Sequence, residues 1–148
     1  MEKAECEERF WSARVARLAT VGTWPHLVPI TFAALGEETI VSAVDDKPKR
    51  TLGLRRLANI ASEPRVAVLA DWYEEDWDRL WWVRADGVAE IVSADDGAKL
   101  HERATTALRR KYGQYADRAP LGPVIVIEVR RWSGWAASAA LARAHRPV

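Results

Sequence analysis

The sequence predicts a mainly β domain with flanking helices, folded as a small closed or split β-barrel. Three observations carry this reading. About six segments have the length and apolar patterning of strands, turn-forming residues separate the early ones so that neighbours run antiparallel, and two or three segments have helical spacing. The 148 residues fit one domain. A chain of this size buries roughly 70% of the surface it exposes when unfolded. Residues 9–137 read as its core and 138–148 as a C-terminal tail.

The elements follow in order. Glu2 to Trp11 reads as a short amphipathic helix with Cys6 and Phe10 on its inner side. Val15 to Val21 alternates apolar with small or polar residues, as a strand does. Gly22 to His26, "GTWPH", is a tight connection, and Leu27 to Leu35 a second strand. Pro29 cannot donate a ladder hydrogen bond, which places it at an edge, a bulge or a ligand. After the turn at Gly36 comes a third strand, Thr39 to Val44, making two hairpins in a row. Leu52, Leu54, Leu57 and Ile60 have the spacing of a helix with one buried side, although Gly53 weakens it by about 1 kcal/mol relative to alanine. Glu63 to Trp72 becomes a nearly continuous apolar strand, and Leu80 to Val92 another, bent at Asp86-Gly87. Ser93 and Asp96 form a capping pattern for a helix with Leu100, Ala104, Ala107, Leu108 and Tyr112 on one side and His101 on the polar side. A loop from Tyr112 to Pro123 leads to the last strand, Val124 to Trp132.

Composition excludes several classes. With 22 basic and 21 acidic residues the net charge is +1, so the chain is not built to coat nucleic acid or an anionic membrane. A single cysteine, Cys6, rules out an intrachain disulfide, and the acidic helix around it raises its pKa rather than activating it. His26, His101 and His145 have no metal-ligand spacing, so no metal is expected. The acidic start lacks the apolar core of a signal peptide and no apolar run approaches a membrane span; the expectation is a soluble cytoplasmic protein. Gly-x-Ser-x-Gly, P-loop and Gly-x-Gly-x-x-Gly signatures are all missing. Eight tryptophans are many for a small domain to bury, and the surplus suits protein interfaces or flat ligands.

Two clusters carry chemistry. "KPKRTLGLRR", Lys47 to Arg56, is half cationic and has no acid. Composition alone makes it a solvated helix face, as most charge runs are. Its place where a strand hands over to a helix instead suits a phosphate or carboxylate, which guanidinium groups hold bidentately. Lys49 and Arg56 are two helical turns apart and can share one face. In "WYEEDWDRLWWVRADG", Trp72 to Gly87, the bland reading is core and interface aromatics beside an acidic loop. Trp81 and Trp82 point to opposite faces of a strand, so one can fill the barrel while the other meets a partner chain or a flat ring. Arg79 and Arg84 stand beside them as anion or stacking groups. "PHLVPITF" adds a proline-interrupted strand whose free backbone groups suit a planar heterocycle.

Taken together, "RVARLATVG", "PHLVPITF", "DDKPKRT", "LRRLANIASEPRVAVLADWYEEDWDRLWWVRADG" and "GPVIVIEVRRWSGWAA" resemble the actinobacterial flavin/deazaflavin oxidoreductases. These are relatives of pyridoxamine 5′-phosphate oxidase, in the branch assigned to coenzyme F420, and the resemblance runs from about Arg9 to Ala137. It implies an FMN-binding split barrel that forms a homodimer with two cofactor sites at the subunit interface. It also implies that Lys47, Lys49, Arg50 and Thr51, after the third strand, hold the cofactor phosphate, with Arg56 and Asn59 matching a Lys-x-x-Asn-Leu segment of shorter-helix members. Lys49 and Arg56 stand as alternative main ligands. The ring is expected against Val28, Pro29, Ile30, Thr31, Ser42 and Ala43, with Trp82 counted among the cofactor contacts. The hairpin "GTWPH" is shorter than the Gly-x-x-Gly-x-Pro loop of these relatives.

The activity so implied is F420-dependent hydride transfer from the reduced deazaflavin to a small planar or unsaturated organic acceptor. The cofactor carries that chemistry, which accounts for the lack of a catalytic constellation. The proton donor is water or one of His26, Tyr73 and Arg79. Two alternatives share the fold: an FMN-dependent oxidase or reductase, and a non-catalytic carrier of F420, FMN or a tetrapyrrole.

Overall fold

The computed structural model describes residues 1–44 and 50–137, the side chains of 50–54 excepted. Helix α1 (Lys3–Ser12) leads into β1 (Ala16–Thr20), β2 (His26–Ile30), a two-residue β3 (Ala33–Ala34) and β4 (Thr39–Ala43). Helix α2 (Arg50–Ser62), β5 (Arg65–Trp72), a 3-10 turn (Trp77–Arg79) and β6 (Trp81–Val92) follow. Helices α3 (Ala98–Lys111) and α4 (Gly113–Asp117) precede β7 (Val124–Ala136).

The seven strands form one sheet in the order β2-β1-β5-β6-β7-β4-β3, every neighbouring pair antiparallel. Its two edges, β2 and β3, are consecutive in the chain and separated only by Thr31 and Phe32. Three Cα steps span roughly 11 Å at most, so the sheet curls until its edges meet. That seam is the split of the barrel. Pro29 sits on the edge strand β2, opposite Arg17, where a missing N–H costs nothing.

The sequence placed one strand over Leu27 to Leu35; the chain instead breaks at Thr31-Phe32 and passes from one sheet edge to the other. The break is tied down by the end of α3. The Tyr112 hydroxyl accepts from Phe32 N–H (3.0 Å) and has the carbonyls of Arg14 (2.8 Å) and Phe32 (2.9 Å) within donating reach. The Tyr115 hydroxyl lies 2.9 Å from Thr31 Oγ1, and Ser42 Oγ donates to Thr31 O at 2.8 Å.

Inward side chains alternate as the strand period requires: Ala16, Leu18 and Thr20 from β1, Val66, Val68 and Ala70 from β5. Phe10 of α1 plugs one end, its ring 4.9 Å from Phe32 and 5.1 Å from Trp132, while Ile60 and Leu57 of α2 join the same core. A second apolar layer forms outside the sheet, where Ala104 and Leu108 of α3 cover Val41, Ala43, Val124 and Val126. The expected bend at Asp86-Gly87 is a bulge. Register shifts there, from Asp86↔Arg131 to Gly87↔Val129, which leaves Arg130 as the extra residue.

Four further expectations are corrected. His101 is buried, not on a polar face, with Nε2 2.9 Å from the Gly122 carbonyl; the loop after α3 folds back over it and supplies that acceptor. Part of that loop forms α4, and β7 runs on to Ala136 because Trp81 and Trp82 of the long β6 continue the ladder. Ser93 Oγ does accept from Asp96 N–H (3.1 Å), but in the turn before the helix, whose N-cap is Gly97. Among the described residues no helix is long and apolar enough to cross a membrane.

Lys111 stands out at the seam. Its ammonium lies 3.7 Å from the centre of the Phe32 ring and 5.4 Å from that of Tyr112, shielded from water and without a hydrogen-bond acceptor. Burial, and then the neighbouring Arg14, bring its pKa down from 10.5 to about 8. The unfolded chain therefore binds this proton more tightly, and stability rises with pH between about 8 and 10.5. Lys111→Met keeps the stem and removes the unpaired charge. It is expected to raise stability at pH 7 by about 1 kcal/mol and to flatten that rise, as read from urea midpoints at pH 7 and pH 10.

Candidate functional site

The described end of the cationic stretch meets the β1–β2 hairpin. With Leu57 and Ile60 of α2 turned into the core, Arg55, Arg56 and Asn59 share the helix face beside them at three- and four-residue spacings. The Asn59 amide donates to Thr20 Oγ1 at 3.0 Å, and that hydroxyl lies 3.5 Å from His26 Nδ1. Helix and hairpin approach so closely that a Cβ at Gly22 would come within 2.5 Å of Asn59 Oδ1, so any larger residue there would have to displace the Asn59 side chain. Burial first, then Arg55 and Arg56, push the His26 pKa below its ordinary value, keeping the ring neutral at pH 7.

This donor set suits an anion. Arg55 and Arg56 bring fixed charge, Asn59 an amide and His26 a ring nitrogen, and none of the four brings an acid. Beside it runs β2, an edge strand whose alternate backbone groups have no partner strand among the described residues. Val28 is half-buried, Pro29 and Leu27 are exposed, and Ile30 is buried in the barrel. A phosphate on the α2 face with a flat ring along β2 fits this arrangement.

The other expected residues lie as follows. Lys47 and Lys49 fall outside the described residues, as do the side chains of Arg50 and Thr51. Thr31 and Ser42 meet each other at the seam, Ser42 wholly buried, and Ala43 is buried under α3. Trp81 packs against the barrel core, and Trp82 takes the opposite face between Asp71 and Trp135. Asn59 bonds Thr20, which stands opposite Val66 and, across β5, Gly87; Trp82 lies five residues back along β6, roughly 17 Å away, so one chain does not bring it to Asn59. Arg79 is paired with Glu74 (3.2 Å) and Arg84 with Asp86 (3.0 Å); Tyr73 is exposed. The Cys6 thiol is buried and its pKa raised, chiefly by that burial. Sequence reasoning missed Thr20 and Gly22. Thr20 is the one polar residue at an inward position of β1, and that was the available signal.

The comparisons agree with this architecture. Residues 3–136 match the family model described as pyridoxamine 5′-phosphate oxidase. A conserved hypothetical protein of Mycobacterium tuberculosis is 26% identical with a TM-score of 0.70, covering 100% of this chain and 92% of its own. An FAD-binding protein of Mesorhizobium loti (18% identity, TM-score 0.67, 90% and 94% covered) and one of Mycobacterium smegmatis (21%, 0.57, 91% and 94%) share the fold. No curated protein matches the chain. The match spans nearly every element described above: the chain belongs to the pyridoxamine 5′-phosphate oxidase family.

Proposed function

We propose that the chain is an oxidoreductase using a flavin-type cofactor, with F420 as that cofactor and a small planar or unsaturated compound as acceptor. The family match over residues 3–136, set beside the anion-suited face of Arg55, Arg56 and Asn59, is the observation that carries this reading. When bound, such a cofactor supplies the hydride chemistry. The chain's own part is positional. Arg56 and Asn59, with Lys47, Lys49, Arg50 and Thr51 from the preceding segment, hold the phosphate; the β2 edge aligns the ring; neutral His26 holds a proton at the site's margin.

A homodimer completes the site. Trp82 lies away from Asn59 along β6, and Trp135, paired with it, is exposed beside it on the outer sheet face, where a second subunit would cover both. An FMN-dependent oxidase or reductase is the second reading, favoured by the FAD-binding relatives. A fluorescence titration of F420 against FMN separates the two, and no binding of either at micromolar concentration defeats both. Lys49→Ala, Arg50→Ala and Arg56→Ala are each expected to weaken the bound cofactor by about 1–3 kcal/mol with little change in melting temperature. Unchanged affinity in all three returns the stretch to a solvated face.

A further inference from the structure

We propose that the cavity between α3 and the outer face of the sheet binds a small zwitterion with an apolar body, an α-amino acid with a hydrocarbon side chain. Glu90 takes its ammonium, Arg103 its carboxylate, and Leu35, Leu100 and Val126 its side chain. The inference is independent of the cofactor reading: Thr39 of this cavity begins β4, and the cationic stretch follows the other end of that strand.

Strand register builds the floor. Val88 of β6 stands opposite Glu128 of β7 and Glu90 opposite Val126, while Glu128 also faces Thr39 of β4. Residues directly opposite, and those two further along, share one face of a sheet. Here it is the outer face, since Val126 belongs to the apolar layer under α3. Glu90 and Glu128 are therefore diagonal neighbours with Cβ atoms roughly 7 Å apart, within reach of one group between them. Leu100 and Arg103, three residues apart on α3, line the same space from the helix. Leu35, whose N–H bonds the Thr39 carbonyl at 2.9 Å, adds a further apolar wall. The cavity holds about 450 Å³, inside the range of roughly 300–1,000 Å³ usual for small-ligand sites.

Charge selects the ligand. Leu35, Val88 and Leu100 are half-buried and Val126 is buried, whereas Glu90, Arg103 and Glu128 are exposed, so apolar surface lies below a charged rim. Glu128 has the Arg130 guanidinium at 3.6 Å. Among the described residues Glu90 and Arg103 form no ion pair, either with each other or with another group. One acid and one base are thus left over at the rim. A simple amine would leave Arg103 unanswered, and a simple carboxylate would leave Glu90 unanswered. A ligand with both charges answers both, and its hydrocarbon displaces water from the walls beneath.

The test titrates the full chain with leucine, followed by calorimetry and by the backbone amide signals of Val88, Leu100 and Val126 in NMR. Leucine is expected to bind with a dissociation constant on the order of millimolar or tighter and to move all three signals. Isoamylamine and isocaproate, which each lack one charge, and glycine, which lacks the hydrocarbon, are each expected to bind about tenfold more weakly or worse. Glu90→Gln and Arg103→Gln are each expected to weaken leucine about tenfold, the first without effect on isocaproate and the second without effect on isoamylamine. No leucine binding at millimolar concentration overturns the proposal. So does isoamylamine or glycine binding as tightly as leucine, or leucine binding that survives both substitutions. Leucine binding in a protein that takes up neither F420 nor FMN sustains it and defeats the cofactor reading alone.

Discussion

Phe10→Ala is expected to lower the free energy of unfolding by about 3–5 kcal/mol, the usual cost of emptying a buried aromatic site. Phe10 is fully buried and is the hub of an aromatic cluster, with ring centres 4.9 Å from Phe32, 5.1 Å from Trp132 and 5.2 Å from Trp11. It is also the anchor by which α1 caps the barrel, so the truncation leaves a cavity on a helix that has only Cys6 as a second buried residue. Thermal melting should move down by roughly 8–16 °C. Phe10→Leu, which keeps much of the volume, should cost about 1 kcal/mol. Equal losses in the two variants would show that α1 does not act as the plug.

Gly87→Val is expected to cost about 3 kcal/mol or more, measured by urea unfolding, with a weakened near-UV signal from the tryptophans of β6 and β7. The bulge brings Glu128 O to 2.5 Å and Ile127 Cγ2 to 2.8 Å from where a Cβ would stand. The first of these is backbone in the longest ladder of the sheet, so it cannot swing aside as a side chain end would. Gly36, a turn glycine with φ of 81° and open space around it, provides the contrast. Its replacement strains only the turn, and Gly36→Ala should cost about 1 kcal/mol.

The strands were legible because alternation is written residue by residue. Ala16, Leu18 and Thr20 face in while Arg17 and Ala19 face out, and Asp86-Gly87 marks the bend that became a bulge. The strand break at Thr31-Phe32 was not legible, since "PITFAAL" is uniformly apolar or β-branched across it. What breaks the strand is a tyrosine 80 residues away that takes the Phe32 N–H out of any ladder. His101 failed for the same reason, its acceptor being a carbonyl 21 residues downstream. In the candidate site Arg56 and Asn59 could be read from the helix period, whereas Thr20 and Gly22 depend on the packing of α2 against a hairpin that precedes it by some thirty residues. The eight tryptophans were read as too many to bury, and Trp24, Trp72, Trp77 and Trp135 are exposed.

The seam at Thr31-Phe32 also dictates the order of folding. The β1–β2 hairpin can form early from local contacts, but β3 reaches its edge only through β4, and β4 pairs with β7 near the far end of the chain. The ties that fasten the corner span 80 and 84 residues. Closing loops of that length is slow, so the barrel closes last, after the C-terminal strand has left the ribosome. Until then Phe32 and the β2 edge are open to other chains, and the newly made protein is most prone to aggregate along the edge on which we propose that the cofactor ring lies.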